Sequence, residues 1–357
     1  VHPRIRFCRS VDGARIAFAT AGEGPPLVQT PTWLTHLELD WTSAAWRPWI
    51  NELARHHTLV RYDLRGCGLS ERSPGDGDFS LRAWVADLEA VADALGLSRF
   101  PLLGLCQGGA IAAAFAARHP ERVSRLVLYG SYVQGALARD PQSRAAREAL
   151  ALGELIESGW GRATPAFREV FACMLLPEGA PEVARALAET ERECATPETA
   201  TRLWIAFHRL DVENVARRVS CPTLVLHARG DGMVPFAEGQ RLAALVPGAQ
   251  FVPLEGRNHI LQAGEPAWAR FWPEVHGFLG RDAHVSAPAE RNGLTSRENA
   301  VLDQIARGRS NDEIAHLLGI RAKTVRNHIT SIFRKLGVRR RAQAIVRARD
   351  TGLGRDA

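Results

Sequence analysis

Leu102-Leu103-Gly104-Leu105-Cys106-Gln107-Gly108-Gly109 is the stretch on which the fold turns. The apolar run Phe100–Leu105 leads into it, and a helical, alanine-rich segment, Gln107–Arg118, leaves it. Small residues two before and two after Cys106 permit a sharp strand-to-helix turn that lifts the central side chain above a sheet. The helix starting behind Cys106 turns its positive dipole end toward the sulfur and favours negative charge there.

Working outward, short apolar strands alternate with amphipathic helices. Ile5–Arg9 and Ala14–Thr20 flank the turn Val11-Asp12-Gly13 and read as a hairpin, followed by a strand at Leu27–Thr30. A helix over Ser43–Ala54 precedes a strand at Thr58–Tyr62, and a helix over Leu81–Leu95 precedes the strand Phe100–Leu105. Beyond the Cys106 turn comes a strand at Arg125–Tyr129. Fully apolar strands separated by helices imply βαβ units and a buried parallel sheet. From about 133 to 218 the pattern is helical throughout, as in a cap over the strand ends. Strands then return at Thr223–His227 and Ala249–Pro253, followed by helices at Ala237–Val246 and Pro266–Leu279.

If Cys106 is a nucleophile, an acid and then a histidine should follow it in the chain. Asp231 stands just after the strand Thr223–His227, and His259 after the strand Ala249–Pro253, both in loops at the carboxyl edge of the sheet. Asp63-Leu64-Arg65-Gly66-Cys67-Gly68-Leu69-Ser70, after Tyr62, is a fourth marker. A lone G-x-C-x-G is compatible with a plain turn; four such segments in order, each on its expected element, are not.

Over about residues 1–282 these segments resemble the α/β-hydrolase superfamily, with cysteine in place of the usual serine. The resemblance implies a Cys106–His259–Asp231 triad and an oxyanion hole supplied by the backbone N–H groups of Gln107 and Trp33. It departs from the superfamily where His-Gly normally follows the third strand: here Pro31-Thr32 precede Trp33. Cysteine, as in dienelactone hydrolases, tells against fast ester turnover, although such a set can still acylate or hold a ligand.

The end of the chain has a different character. Residues 287–357 hold 15 Lys/Arg against 7 Asp/Glu, whereas the whole chain of 357 residues has a net charge of only +6. The excess positive charge therefore sits where it can meet phosphates. After a polar linker at 283–293, the run from Leu294 reads as four helices. Thr295 and Glu298 form a capping box, Ser310 or Asn311 caps the second helix, and Gly319-Ile320 makes the turn. A third helix, Ala322–Leu336, puts Val325, Ile329 and Ile332 inward and exposes Arg326, Asn327 and Thr330. A last helix covers Arg341–Arg349.

Through LTSRE, SNDEIA, KTVRNHI and KLGV, residues 294–357 resemble the LuxR-type helix-turn-helix domain. That resemblance implies base-edge contacts from Arg326, Asn327 and Thr330. It implies phosphate contacts from Lys323, Thr324, Arg334, Lys335 and the cluster Arg339-Arg340-Arg341.

Six scattered cysteines with no C-x-x-C pair fit neither a zinc site nor a disulfide framework, and suit a reducing compartment. No apolar signal region opens the sequence and no run approaches the ~20 residues of a membrane span, so a cytoplasmic location without membrane contact is expected. Neither a cofactor nor a metal is called for, and no acidic cluster of a phosphorelay receiver is visible. The leading expectation is a DNA-binding transcription regulator that senses a small, largely apolar or ester-like ligand around Cys106. As a homodimer, it would bind a pseudo-palindromic operator. The alternatives are an active cysteine-dependent ester, lactone or thioester hydrolase carrying a DNA-binding domain, and a constitutive regulator whose first domain only dimerises.

Overall fold

A computed structural model describes residues 3–72, 79–160, 162, 166–280, 296–317, 322–338 and 340–350. The chain divides into two compact units, Val1–Leu279 and Gly280–Ala357. The expected linker 283–293, the Thr295 cap and the Gly319-Ile320 turn lie outside the described residues.

The first unit is built on one eight-stranded sheet. Its strands are β1 (Arg4–Arg9), β2 (Arg15–Ala21), β3 (Pro26–Gln29), β4 (Thr58–Tyr62), β5 (Phe100–Leu105), β6 (Val123–Tyr129), β7 (Thr223–Ala228) and β8 (Gln250–Leu254). Their spatial order is β1-β2-β4-β3-β5-β6-β7-β8. β1 and β2 form the expected antiparallel hairpin, β2 pairs antiparallel with β4, and every later pairing is parallel. All six residues of β7 are buried, which is why the central strands read as continuous apolar runs rather than alternating ones. Two large apolar clusters make most of the core. One holds Val28, Leu102, Leu126 and Val225, and the other Leu27, Leu103, Val127 and Leu224, so adjacent residues of each strand enter opposite layers.

The helix expected over Ser43–Ala54 starts only at Arg47 and runs to His56, and a separate short helix, Leu39–Thr42, precedes it. Pro48 lies in the first turn of the second. Proline is tolerated only there, because its ring blocks the hydrogen bond that a longer helix would need at that point. Ser43 instead ends the first helix, donating its backbone N–H to the Leu39 carbonyl.

Between β6 and β7 the described residues make six helices, among them Arg144–Gly159, Ala166–Leu175, Pro181–Cys194 and Pro197–His208. They contribute Trp160, Phe171 and Trp204, whose rings surround Trp33 from the loop after β3 at centroid distances of 5.3, 5.6 and 5.1 Å. Among the described residues no helix is long and apolar enough to cross a membrane.

The second unit has helices Ser296–Ala306, Asn311–Leu317, Ala322–Leu336 and Arg341–Asp350 around a small core of Val301, Leu302, Ile305, Ile314, Val325 and Ile332. Ser310 caps the second helix reciprocally. Glu313 donates its backbone N–H to the Ser310 hydroxyl at 3.3 Å, and Ser310 donates its own N–H to the Glu313 carboxylate at 2.7 Å. Asn311, the other candidate cap, accepts a 3.0 Å bond from Arg341 instead.

Candidate active site and nucleic-acid interface

Cys106 follows β5 directly and has φ +50, a left-handed conformation that a non-glycine residue adopts only under constraint. The constraint is visible around it. Cys106 donates its N–H to the Tyr129 carbonyl at 2.9 Å, while Gly109, in the first turn of the helix Gly108–Arg118, donates to the Cys106 carbonyl at 3.1 Å. A Cβ on Gly104 would sit 2.6 Å from the Gly109 Cα, so the strand and the helix can meet this closely only without side chains.

The acid and the histidine arrive from β7 and β8. Asp231 Oδ2 lies 2.7 Å from His259 Nδ1, and Asp231 Oδ1 accepts the backbone N–H groups of Met233 and Val234 at 2.8 and 2.9 Å. Burial alone would raise the Asp231 pKa; the charge and hydrogen bond of His259 outweigh it and hold the carboxyl below its ordinary value. Burial likewise works against the His259 cation, yet Asp231 and the Cys106 sulfur, both hydrogen-bonded to the ring, push its pKa well above the usual histidine range. The His259 loop is pinned to the cap, its N–H donating to the Leu175 carbonyl at 2.8 Å.

Cys106, Gln107, Asp231, His259, Thr32 and Trp33 all line one cavity of about 470 Å³. The structure thus brings together every residue that the sequence singled out for this site. The Asp63–Ser70 marker acts from behind. Asp63 Oδ2 accepts the backbone N–H groups of Leu37 and Leu69 at 3.3 and 2.8 Å, and Leu64 donates its N–H to the Thr35 hydroxyl at 3.1 Å. The marker therefore clasps the loop that presents Trp33.

The cap adds groups that sequence reasoning missed. Glu191, on the helix Pro181–Cys194, reaches the cavity wall, is buried, and has Oε2 without a hydrogen-bond partner. Burial, and then the nearby Asp40, push its pKa up to about 8. His208, also on the wall, is held down to about 4 by burial and by Arg139, so it is neutral at physiological pH. No local pattern flags either residue; only the folding of the cap over the strand ends makes them part of the site.

Glu191 makes a pH prediction. The folded chain keeps this proton up to about pH 8, whereas an unfolded glutamate releases it near 4.5. The associated stability is fully present below that lower value and is lost as pH rises through the upper one. Glu191→Gln cannot ionise, so its stability relative to wild type should grow between pH 5 and 8.5 by on the order of a few kcal/mol. Urea titrations at the two pH values measure this, and an unchanged gap would show that Glu191 is already ionised in the fold.

In the second unit the helix Ala322–Leu336 buries Val325 and Ile332, packs Ile329 against the small core, and leaves Arg326, Asn327, Thr330 and Arg334 exposed, with Thr324 half-buried. The side chain of Lys323 lies outside the described residues, as does Arg339. Lys335 has a second occupation: its ammonium pairs at 2.7 Å with the buried Glu298, tying this helix to Ser296–Ala306. Arg341 is likewise engaged, with Asn311 and the Arg309 carbonyl. Arg334 is therefore the cleaner phosphate candidate.

Residues 25–266 match the family described as the alpha/beta hydrolase fold. The chain belongs to that family. Residues 292–348 match the bacterial regulatory proteins of the luxR family, so this α/β-hydrolase carries a LuxR-type DNA-binding domain and is a transcription regulator. The chain is 30% identical over 238 residues to 2-hydroxy-6-oxo-2,4-heptadienoate hydrolase of Pseudomonas putida, a match covering 61% of this chain and 78% of that one. It is 31% identical over 247 residues to 2-hydroxymuconate semialdehyde hydrolase of Pseudomonas sp. strain CF600, covering 66% and 81%. The esterase RhEst1 from Rhodococcus sp. superposes with a TM-score of 0.63 at 26% identity, covering 77% of this chain and 98% of that chain.

Proposed function

We propose that the α/β-hydrolase domain is a sensor whose cavity takes up a small, largely apolar or ester-like ligand beside Cys106 and so adjusts operator binding by the LuxR-type domain. The observation that carries this reading is the cavity of about 470 Å³ in a chain that also binds DNA. Its size lies within the range of small-molecule sites, and a wall of Trp33, Trp204, Phe207 and Leu105 with a few polar groups suits such a ligand. A domain serving only to dimerise would have no use for this space. The chain is expected to act in the cytoplasm as a homodimer on a pseudo-palindromic operator, since one such domain reads only a half-site.

A second reading, turnover, is favoured by the formed Asp231–His259 pair. In that case Cys106 attacks the acyl carbon, His259 takes the thiol proton and gives it to the departing alcohol, and the Gln107 and Trp33 N–H groups meet the oxyanion. Water, giving its proton to His259, then attacks the thioester, the acid leaves, and the proton returns to the Cys106 sulfur. Hydrolysis of p-nitrophenyl butyrate that disappears in Cys106→Ala would support this reading. Gel shifts that respond to ligand in the same variant would favour sensing alone.

For the DNA interface, Arg326→Ala should lose about 1–3 kcal/mol on an operator selected from a random library and relax base preference at one position. Arg334→Ala should weaken binding to all sequences alike and flatten the salt dependence by about one unit of slope. Fluorescence anisotropy at several salt concentrations separates the two, and equivalent behaviour would refute the assignment.

A further inference from the structure

Trp49, on the helix Arg47–His56, packs against Trp268, Phe271 and Trp272 of the helix Pro266–Gly280 at centroid distances of 5.8, 5.0 and 5.3 Å. Where these two helices meet, Glu52 and His56 project from one face of the first, being four residues apart, and His276 from the second. One donor atom from each of the three lies within 4.8 Å of the other two. None of them belongs to the Cys106 site.

We propose that Glu52, His56 and His276 form a binding site for one divalent transition-metal ion of the zinc class. His276 Nε2 carries the most weight. It is shielded from solvent and faces Glu52 Oε1 at 3.4 Å, an ion-pair separation without the geometry of a hydrogen bond. A shielded nitrogen paired this loosely costs free energy that a metal ion held between it and the carboxylate would recover. The ring is held in orientation by Trp272, stacked on it at 5.5 Å and 24°. Arg55 engages the other Glu52 oxygen, Oε2, at 3.2 Å, so Oε1 stays directed at the imidazole. The His56 ring lies 4.7 Å from that of His276, and His56 is exposed and free to turn.

The dimensions fit with modest closure. Zinc bonds to nitrogen and oxygen of about 2.0–2.2 Å place tetrahedral ligand atoms roughly 3.3 Å apart. A rotamer change at His56 and a small shift at Glu52 bring the set from its present spread to that spacing. Two imidazoles and one carboxylate select zinc, nickel, cobalt or copper over calcium and magnesium, which prefer all-oxygen shells. Three protein ligands leave a fourth position for water. An ion here would clamp two helices that meet through Trp49, itself on the wall of the cavity. The helix carrying His276 ends at Gly280, where the second unit begins.

The test uses the full chain, stripped with EDTA and desalted, and titrated with zinc ion by calorimetry and in thermal melts. It is run in a Cys106→Ala background, because the thiol, imidazole and carboxylate of the other site are themselves zinc donors. One equivalent should bind, with a rise in Tm, and His56→Ala or His276→Ala should weaken binding by about 100-fold or more. Cobalt substituted for zinc should give a spectrum of nitrogen and oxygen ligation without a thiolate band. His56 is exposed, so its replacement leaves the fold intact and keeps the test decisive. Absence of stoichiometric binding, or equal affinity in the His56→Ala variant, would overturn the site.

Discussion

Asp87→Ala is expected to remove about 3–5 kcal/mol from the unfolding free energy of the hydrolase-fold unit. Asp87 and Arg65 form a bidentate pair inside the protein. The Arg65 Nε donates to Asp87 Oδ2 at 2.8 Å and its Nη2 to Oδ1 at 2.6 Å, and both side chains are almost wholly buried. Asp12 adds a bond at 2.7 Å but is itself 44% exposed, so it cannot replace the lost carboxylate. Truncation strands a guanidinium in the interior, and that desolvated charge, rather than the value of the pair, sets the size of the loss. Replacing both partners, as Arg65→Met with Asp87→Leu, should therefore recover most of the stability. All nine tryptophans precede residue 280, so tryptophan fluorescence in urea follows this unit alone. A loss below about 1 kcal/mol for Asp87→Ala would mean that water reaches the pair. The effect should extend to the site, because Arg65 lies in the same stretch as Asp63, whose carboxylate holds the loop behind Trp33.

The Arg65 stretch also illustrates what could be read without coordinates. Its spacing identified it as a marker, as did that of Gly104–Gly109, because both are local turns whose demands fall on adjacent residues. Cys106 at φ +50 and Gly68 at φ +52 show those demands. Asp231 and His259 were legible for a related reason: each closes a strand whose apolar run is unmistakable. The cap resisted such reading. Glu191, Trp160, Phe171 and Trp204 reach Trp33 and the cavity from helices more than a hundred residues after it, and amphipathic periodicity says which face of a helix is buried but not against what. Glu52 and His56 stand at a readable spacing, yet their partner His276 lies 220 residues beyond His56, and only the packing of Trp49 against the last helix of the unit brings it near. Lys335 shows what charge alone leaves out: its charge suggests phosphate, and the fold also pairs it with the buried Glu298.

Ligand and operator are expected to change each other's affinity by the same factor, on the order of 5–150-fold. A pocket influences transcription only if its occupant binds the DNA-competent and DNA-incompetent states unequally, because equal affinity shifts no population however tight the binding. Any such inequality is reciprocal by linkage: if the occupant of the Cys106 cavity loosens the operator complex tenfold, operator DNA must loosen the occupant tenfold. The occupant can be identified by mass spectrometry of molecules that co-purify with the chain, and its affinity measured calorimetrically with and without operator. Cys106→Ser then separates two forms of sensing. Non-covalent occupancy needs only the shape and polarity of the cavity, so the response should survive this change of one atom. A thioester signal requires the sulfur as nucleophile, with His259 managing its proton, so the response should fall sharply and the protein mass adduct should vanish. The buried and neutral Glu191 gives either mode a polar partner for the ligand's acceptor, and Glu191→Gln, which keeps a donor there, should preserve the coupling. Equal ligand affinities with and without operator would remove the sensing proposal and leave a hydrolase that is delivered to DNA by its second domain.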